Sequence, residues 1–451
     1  MSAQDALPGP KSTSSDTTVQ PVGAATADAA IVAAARKPWA AFAYGDFTWL
    51  WLGGVTGTVT MLFRTLVSSQ WLYDETGSAA QLGILGLIQF VQMPVVVYGG
   101  ALADNFDRKK LIAMTQIVAF GLLLALTVLA GTGTLLPWHI FAVTGISGVV
   151  SMLGNSARPA MVPRVVPRPM IGTAVATNTA TFQIAGIVAP LLFALLYEKF
   201  GVTTSFAVAS GLAGIGCITP FLIVTSGLPD ASSRRRTWTS IKEGFLFIRH
   251  HRVLPGLYLL DIGVTIVSFY RMLFPIFADQ LYGMGAAAVG PLTSANALGG
   301  LFGTFVVFGA NRFARKGLLV LFFSAAYAAL LFAFGLNKLF YLGLIIVFGL
   351  GMTDAVSMVM RQTIAQLTSP DKLLGRVSGA HSVGAMTANS LGQAEVAFMS
   401  GAIGAGPTMI IGGVVSLVVV FVIWAGVKGV RRYRYDPANP YEAHEADQPP
   451  S

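Results

Sequence analysis

Five ionisable side chains fall inside long apolar runs of this 451-residue sequence: Arg64, Asp261, Arg271, Asp354 and Glu395. A charge near the middle of a bilayer costs about 2.5 to 3.5 kcal/mol, so a side chain kept there needs a partner or a task. The chemistry open to carboxylates beside arginines is ion pairing and proton exchange: an ionised Asp holds its Arg, and a protonated one lets it go. Asp354, Ser357 and Arg361 recur at i, i+3 and i+7 and share one helical face, while Ser382, Ala385, Asn389 and Gln393 form a polar stripe on the next run. Both faces are expected to line a cavity, with Asp261 and Glu395 as further proton-coupling candidates. Arg64 precedes Asp74, at an outer helix end, by ten residues, which at 1.5 Å each puts it about 15 Å deep. Arg271 sits at a similar depth, four residues before Pro275, where the helix is expected to break. The competing reading is structural, with arginines that snorkel to the surface or pairs that only hold helices together. As a set, the residues favour function.

Other chemistries lack their residues. The sequence has no Gly-x-x-x-x-Gly-Lys-Ser/Thr loop for a nucleotide. His250 and His251 stand between Arg249 and Arg252, which repel a cation, and His139 and His381 have no Cys or acidic partner at ligand spacing. Each of these reads as a polar helix-end residue. Cys217 is the single cysteine, so no intrachain disulfide can form. Neither a metal, a cofactor nor an enzymatic activity is expected.

The elements that must position these groups are membrane helices. Residues are 54% hydrophobic and 11% charged, with 50 glycines, a composition of closely packed spans. Twelve apolar runs each supply the roughly 20 residues that cross a bilayer core, without the period-two alternation of strands. Of the 29 Lys and Arg, all but Arg64, Lys199, Arg271 and Lys338 fall on one side of that arrangement. Positive charge collects in the cytoplasm, so both termini are expected inside. The net charge of +9 is then loop bias and anionic-lipid contact rather than a nucleic-acid footprint. The fold class expected is an all-α membrane protein of twelve transmembrane helices in two pseudo-symmetric six-helix halves. Its divisions are a disordered cytoplasmic tail over 1–40, a six-helix half over 41–226, a cytoplasmic loop over 227–252, a second half over 253–428 and a tail over 429–451. Within the loop, 238–250 is amphipathic with Ile241, Phe245 and Ile248 on one side, and is expected to lie on the inner leaflet.

The halves repeat. At an offset of 207, Arg64 falls on Arg271, Gly83 on Gly290, Arg108 on Arg315 and Lys109 on Lys316; farther on the offset is 203, pairing Arg158 with Arg361, Pro167 with Pro370 and Gly172 with Gly375. Two halves in one orientation place a pseudo-two-fold axis along the membrane normal and a site between them.

The loop GGALADNFDRKKL at 99–111 resembles the signature of the major facilitator superfamily, Gly-x-Leu-Ala-Asp-x-x-Gly-Arg-Lys, with Asp107 in place of its second Gly. The resemblance implies a gating latch in which Gly100, Asp104, Arg108 and Lys109 close the cytoplasmic end against the N-terminus of span 11, expected near Gly375. With Asn311 in the second copy, that latch is one-sided. In span 5, Gly186 and Pro190 approximate an exporter-associated motif, although small residues and a Pro also serve close packing. The stretches WLYDETGSAAQLG, ARPAMVPRVVP and RQTIAQLTSPDKLLGRVSG resemble a bacterial branch that holds enterobactin exporters and macrolide efflux carriers. The branch implies a multi-pass inner-membrane carrier, acting as a monomer. Its partners are protons, lipid and a small, partly apolar substrate, siderophore-like or drug-like, exported by proton antiport with alternating access. Multidrug or macrolide efflux, a proton-coupled uptake symporter and a non-transporting membrane sensor are the alternatives.

Overall fold

Apolar runs this long have no water to satisfy their backbone, so they close their hydrogen bonds internally as helices. A computed structural model describes residues 39–92, 106–228, 237–310 and 313–434, and they are helical almost throughout. The helices are α1 (Gly45–Thr76), α2 (Ala79–Val91), α3 (Arg108–Gly131), α4 (Pro137–Val165) and α5 (Ile171–Leu222), then α6 (Thr237–His250) and α7 (Leu254–Ser268). After them come α8 (Phe274–Gln280), α9 (Ala286–Ala310), α10 (Lys316–Leu336), α11 (Phe340–Thr368), α12 (Asp371–Ile403), α13 (Ala405–Gly426) and α14 (Lys428–Arg432).

Among the described residues, α1, α3, α5, α10, α11 and α13 are long and apolar enough to cross a membrane; α2 and α7 are shorter apolar helices. This is a multi-pass, all-helical membrane bundle, and six such helices rather than twelve are identified by length and composition. Two reasons are local. Helix α5 is two helices joined at a kink at Gly201, whose φ of 78° only glycine adopts freely. Helix α12 carries His381, Asn389, Gln393 and Glu395, which lower its mean hydropathy.

Chain breaks fall where chemistry puts them. The Asp107 side chain caps α3 by accepting from the Lys109 N–H at 2.9 Å. Between α7 and α8 the expected break is present: the helix stops at Ser268, Arg271–Leu273 form a 3₁₀ turn, and Pro275 enters the first turn of α8. Pro370 precedes α12, four residues ahead of the start expected at Gly375.

Helix α5 packs on α1 and α3, while α9 packs on α11, α10 on α13, and α12 on α7. Two seams join these groups, α2 on α12 and α5 on α9. The seams obey the repeat. A Cβ on Gly83 would lie 3.2 Å from Ala397 Cβ, and one on Gly290 would lie 2.5 Å from Ala194 Cβ. Gly83 and Gly290 stand 207 apart, Ala194 and Ala397 203 apart, so the two offsets are satisfied together by one pair of equivalent contacts.

At one end the groups share a core in which Phe63, Val67 and Trp71 of α1 meet Tyr270, Phe274 and Phe277, with Phe193 of α5 beside them. Tyr73 also donates to Asp279 at 3.1 Å across the divide. At the other end, which holds Arg108, Arg164, Arg252, Arg315 and Arg431, the cores are separate: Leu111, Met161 and Val165 in one, Leu257, Met360 and Ile423 in the other.

Helix α6 docks on α7 and α12. Ile248 turns inward against Leu254, Tyr258 and Val377, Glu243 pairs with Arg376 of α12, and Phe245 faces outward. The Ile241 side chain lies outside the described residues.

Candidate functional site

The charged residues of the apolar runs assemble into two rungs between α7 and α11. Asp261 on α7 meets Arg361 on α11, Oδ1 to Nη2 at 2.7 Å, with side chains 13% and 8% exposed. Arg271, in the turn after α7, pairs with Asp354 on α11, at 46% and 34% exposure. The acid stands on α7 in the first rung and on α11 in the second. Arg361 also donates to Ser357 Oγ at 2.9 Å, and Ser357 lies 3.0 Å from Ser324 Oγ. Asp354, Ser357 and Arg361 line a cavity of about 70 Å³ with Asp261, Arg271 and Asn389.

Arg64 is elsewhere. It lines a second cavity of about 450 Å³ between α1, α3, α4 and α5, together with Arg158, Gln116, Asn178 and Ser151, and with apolar Met61, Leu122 and Phe182. Arg158 donates to the Leu50 carbonyl at 3.1 Å, and its guanidinium lies along a face of α1 kept open by Gly53, Gly54 and Gly57. No carboxylate lines this cavity among the described residues, and neither arginine makes an ion pair there. The volume is in the range that takes a drug-sized ligand, whereas the first cavity holds only water-sized groups.

Three expectations change. Gln393 does not join Asn389 at the cavity; it is buried against Gly86 in the α2–α12 seam. Glu395 is half-buried with Oε2 unpartnered and lines neither cavity. His381 is not isolated: its Nε2 is 3.7 Å from Asp261 Oδ2 and its ring stacks on Tyr258 at 4.3 Å. Gly186 and Pro190 stand in the α5–α9 seam, where Ser294 donates to the Ile187 carbonyl at 2.8 Å. Of the latch, Gly100 and Asp104 lie outside the described residues, as does Asn311. Arg108 and Lys109 grip their own half, through the Ala160 and Ile223 carbonyls at 3.5 and 2.5 Å.

Sequence reasoning placed Arg158 with the loop that follows it. The signal that finds it is the repeat: Arg158 and Arg361 are equivalents, and both are in helices beside a cavity. The same offsets place Gly54 opposite Asp261, Ser151 opposite Asp354 and Asn178 opposite His381. Both copies keep the two arginines; one copy lacks every titratable partner.

Comparison with known proteins gives three results. A family model described as Major Facilitator Superfamily matches residues 49–393. Enterobactin exporter EntS of Shigella boydii serotype 4 (strain Sb227) is 28% identical over 345 residues, covering 76% of this chain and 80% of that protein. EntS of Escherichia coli O81 (strain ED1a) gives the same figures. Among solved structures, a mutant of the nucleoside transporter NupG aligns with TM-score 0.64 at 12% identity, over 84% of this chain and 99% of its own. A POT family transporter in complex with 5-aminolevulinic acid aligns at 0.68 and 10%, over 86% and 96%. A bacterial homolog of the human lysosomal transporter Spinster, inward-facing and unoccupied, aligns at 0.67 and 14%, over 87% and 99%.

Proposed function

Because this chain belongs to the Major Facilitator Superfamily, we propose that it exports a small, partly apolar anion across the membrane in exchange for protons. The coarser statement needs no proposal: the chain is a multi-pass transporter of the bacterial cytoplasmic membrane, related to enterobactin exporters, and it moves a small molecule by secondary transport. The single observation that carries the finer reading is the segregation of charge. Two arginines without carboxylates line the larger cavity, and both arginine–aspartate rungs lie in the other half.

In this reading the cavity with Arg64 and Arg158 takes the anion, its apolar wall taking the rest of the molecule. The rungs titrate. Protonating Asp354 frees Arg271, and the more exposed of the two rungs is the one that exchanges first. Twelve crossings with both termini in the cytoplasm, divided at residues 41–226 and 253–428, fit the seams and the kink of α5. The end with separate cores is then the cytoplasmic one, so the described form receives cargo from inside, and the latch of Gly100, Asp104, Arg108 and Lys109 closes that end in the opposite state. Export is preferred because the sequence relatives are named exporters. The apolar wall fits a drug-like or macrolide cargo as well as a siderophore.

Proteoliposomes with an imposed pH gradient test this reading with two probes, enterobactin and a macrolide. Proton-driven movement of either out of the face bearing residues 242–252 supports it and identifies the cargo class. Movement in the other sense makes the chain a proton-coupled uptake symporter, and saturable binding without movement makes it a sensor.

A further inference from the structure

His381 is the group that neither rung uses and that its own half alone possesses. It projects from α12 to the inner rung, where Asp261 is shared. One carboxylate oxygen, Oδ1, is 2.7 Å from Arg361; the other, Oδ2, faces His381 Nε2 at 3.7 Å, beyond hydrogen-bond reach but within ion-pair range. Tyr258, one helical turn before Asp261 on α7, stacks on the imidazole with an interplanar angle of 17° and so fixes its direction. The other half carries Asn178 at the equivalent position, a residue of similar polarity that cannot titrate. Helix α12 packs both on α7 of its own half and on α2 of the other.

We propose that His381 is a positioning residue for proton coupling: its protonation draws the Asp261 carboxylate from Arg361 and pulls α12 onto α7, a shift passed to the opposite half through the α2–α12 seam. This rests on the transport reading above and adds to it the group that senses pH. The proton passes from cavity water to Nε2 and returns to water on release. No other bond forms or breaks.

The charges around the imidazole set the sign. Asp261 of α7 favours imidazolium; Arg361 of α11 opposes it, and behind it Asp354 is occupied by Arg271. From α6, Glu243 is occupied by Arg376 of α12, Lys242 and Arg249 are exposed, and His250 ends the helix just before His251. Tyr258 is uncharged in the neutral range, and the described segments of α2 and α13 bring no charge. One carboxylate then stands between two cations when His381 is charged and beside one when it is neutral.

The test needs no cargo. Full-length protein in nanodiscs, in a Cys217→Ser background, is spin-labelled at Val224→Cys and Phe313→Cys, two exposed positions at the end with separate cores. The interlabel distance is then followed by pulsed EPR from about pH 5 to 8. A single transition is expected in the parent, lost in His381→Gln and in His381→Asn, which installs the residue of the other half. A His139→Gln control keeps the transition. Should either His381 variant fold and titrate like the parent, or should the parent stay flat, the proposal is overturned while transport measured in proteoliposomes stands. Should the transition follow His381 while no probe is transported, the transport reading fails and the switch survives.

Discussion

Arg158 and Arg361 are the same residue 203 positions apart, and they live differently. Arg158 leans along glycines of α1 and donates to a backbone carbonyl, beside a cavity of about 450 Å³. Arg361 is locked to Asp261 and Ser357 beside one of about 70 Å³. Arg64 and Arg271 repeat the contrast, the first without an ion pair and the second held by Asp354. What differs is the acid: Gly54 and Ser151 stand where the other half has Asp261 and Asp354. The two offsets thus pair cations with cations but leave the two acids without counterparts, and the proposed function assigns anion binding to one set and proton exchange to the other.

Stability separates the halves most widely. Arg361→Ala strands Asp261 in a buried site, which costs about 3 to 5 kcal/mol, whereas Arg158→Ala forfeits a hydrogen bond to one carbonyl, worth about 1 kcal/mol. Thermal unfolding in detergent measures both, and equal losses would erase the contrast. Binding is expected to reverse the order. Arg64→Ala or Arg158→Ala weakens an anionic cargo by about 30-fold or more, the equivalent of about 2 kcal/mol for a truncated charge contact, with the response to a pH gradient preserved. Asp354→Asn is expected to keep cargo binding and lose that response, as read by flux with and without the gradient. Ser151→Asp transplants the missing acid; it should compete with cargo for the cavity arginines and weaken binding by about tenfold, a loss of about 1.4 kcal/mol. The smallest effect is at the helix starts. Asp107 caps α3, while Arg315 at the N-cap of α10 makes no side-chain cap, so Asp107→Ala costs about 1 kcal/mol and substituting Arg315 forfeits no such cap.

Much of this was legible in the residues. Long apolar runs point to a multi-pass helical bundle, and the helix break before Pro275 follows from proline chemistry. Arg271, Asp354, Asp261 and Arg361 announced themselves by standing in apolar surroundings. Arg158 did not, because Pro159, Pro163 and Arg164 next to it read as loop, although α4 continues through both prolines to Val165. Neighbouring helices let a bundle helix tolerate what would end a soluble one. His381 was illegible for another reason: its partner Asp261 comes from a different helix, and only packing brings them together. The placement of Gln393 in a seam rather than the cavity depends on how α12 is rotated, which a stripe of polar residues fixes only over a turn or two.

The aromatic core shared at one end also has an electrical consequence. Phe63, Phe193, Phe274 and Phe277 are fully buried there, and a stack of rings offers no chain of hydroxyls or waters along which protons can hop. A cell that stores energy as a gradient can house a slow carrier only if the carrier does not short-circuit it, and under the proposed proton exchange this plug would be the insulator that keeps the rungs from leaking.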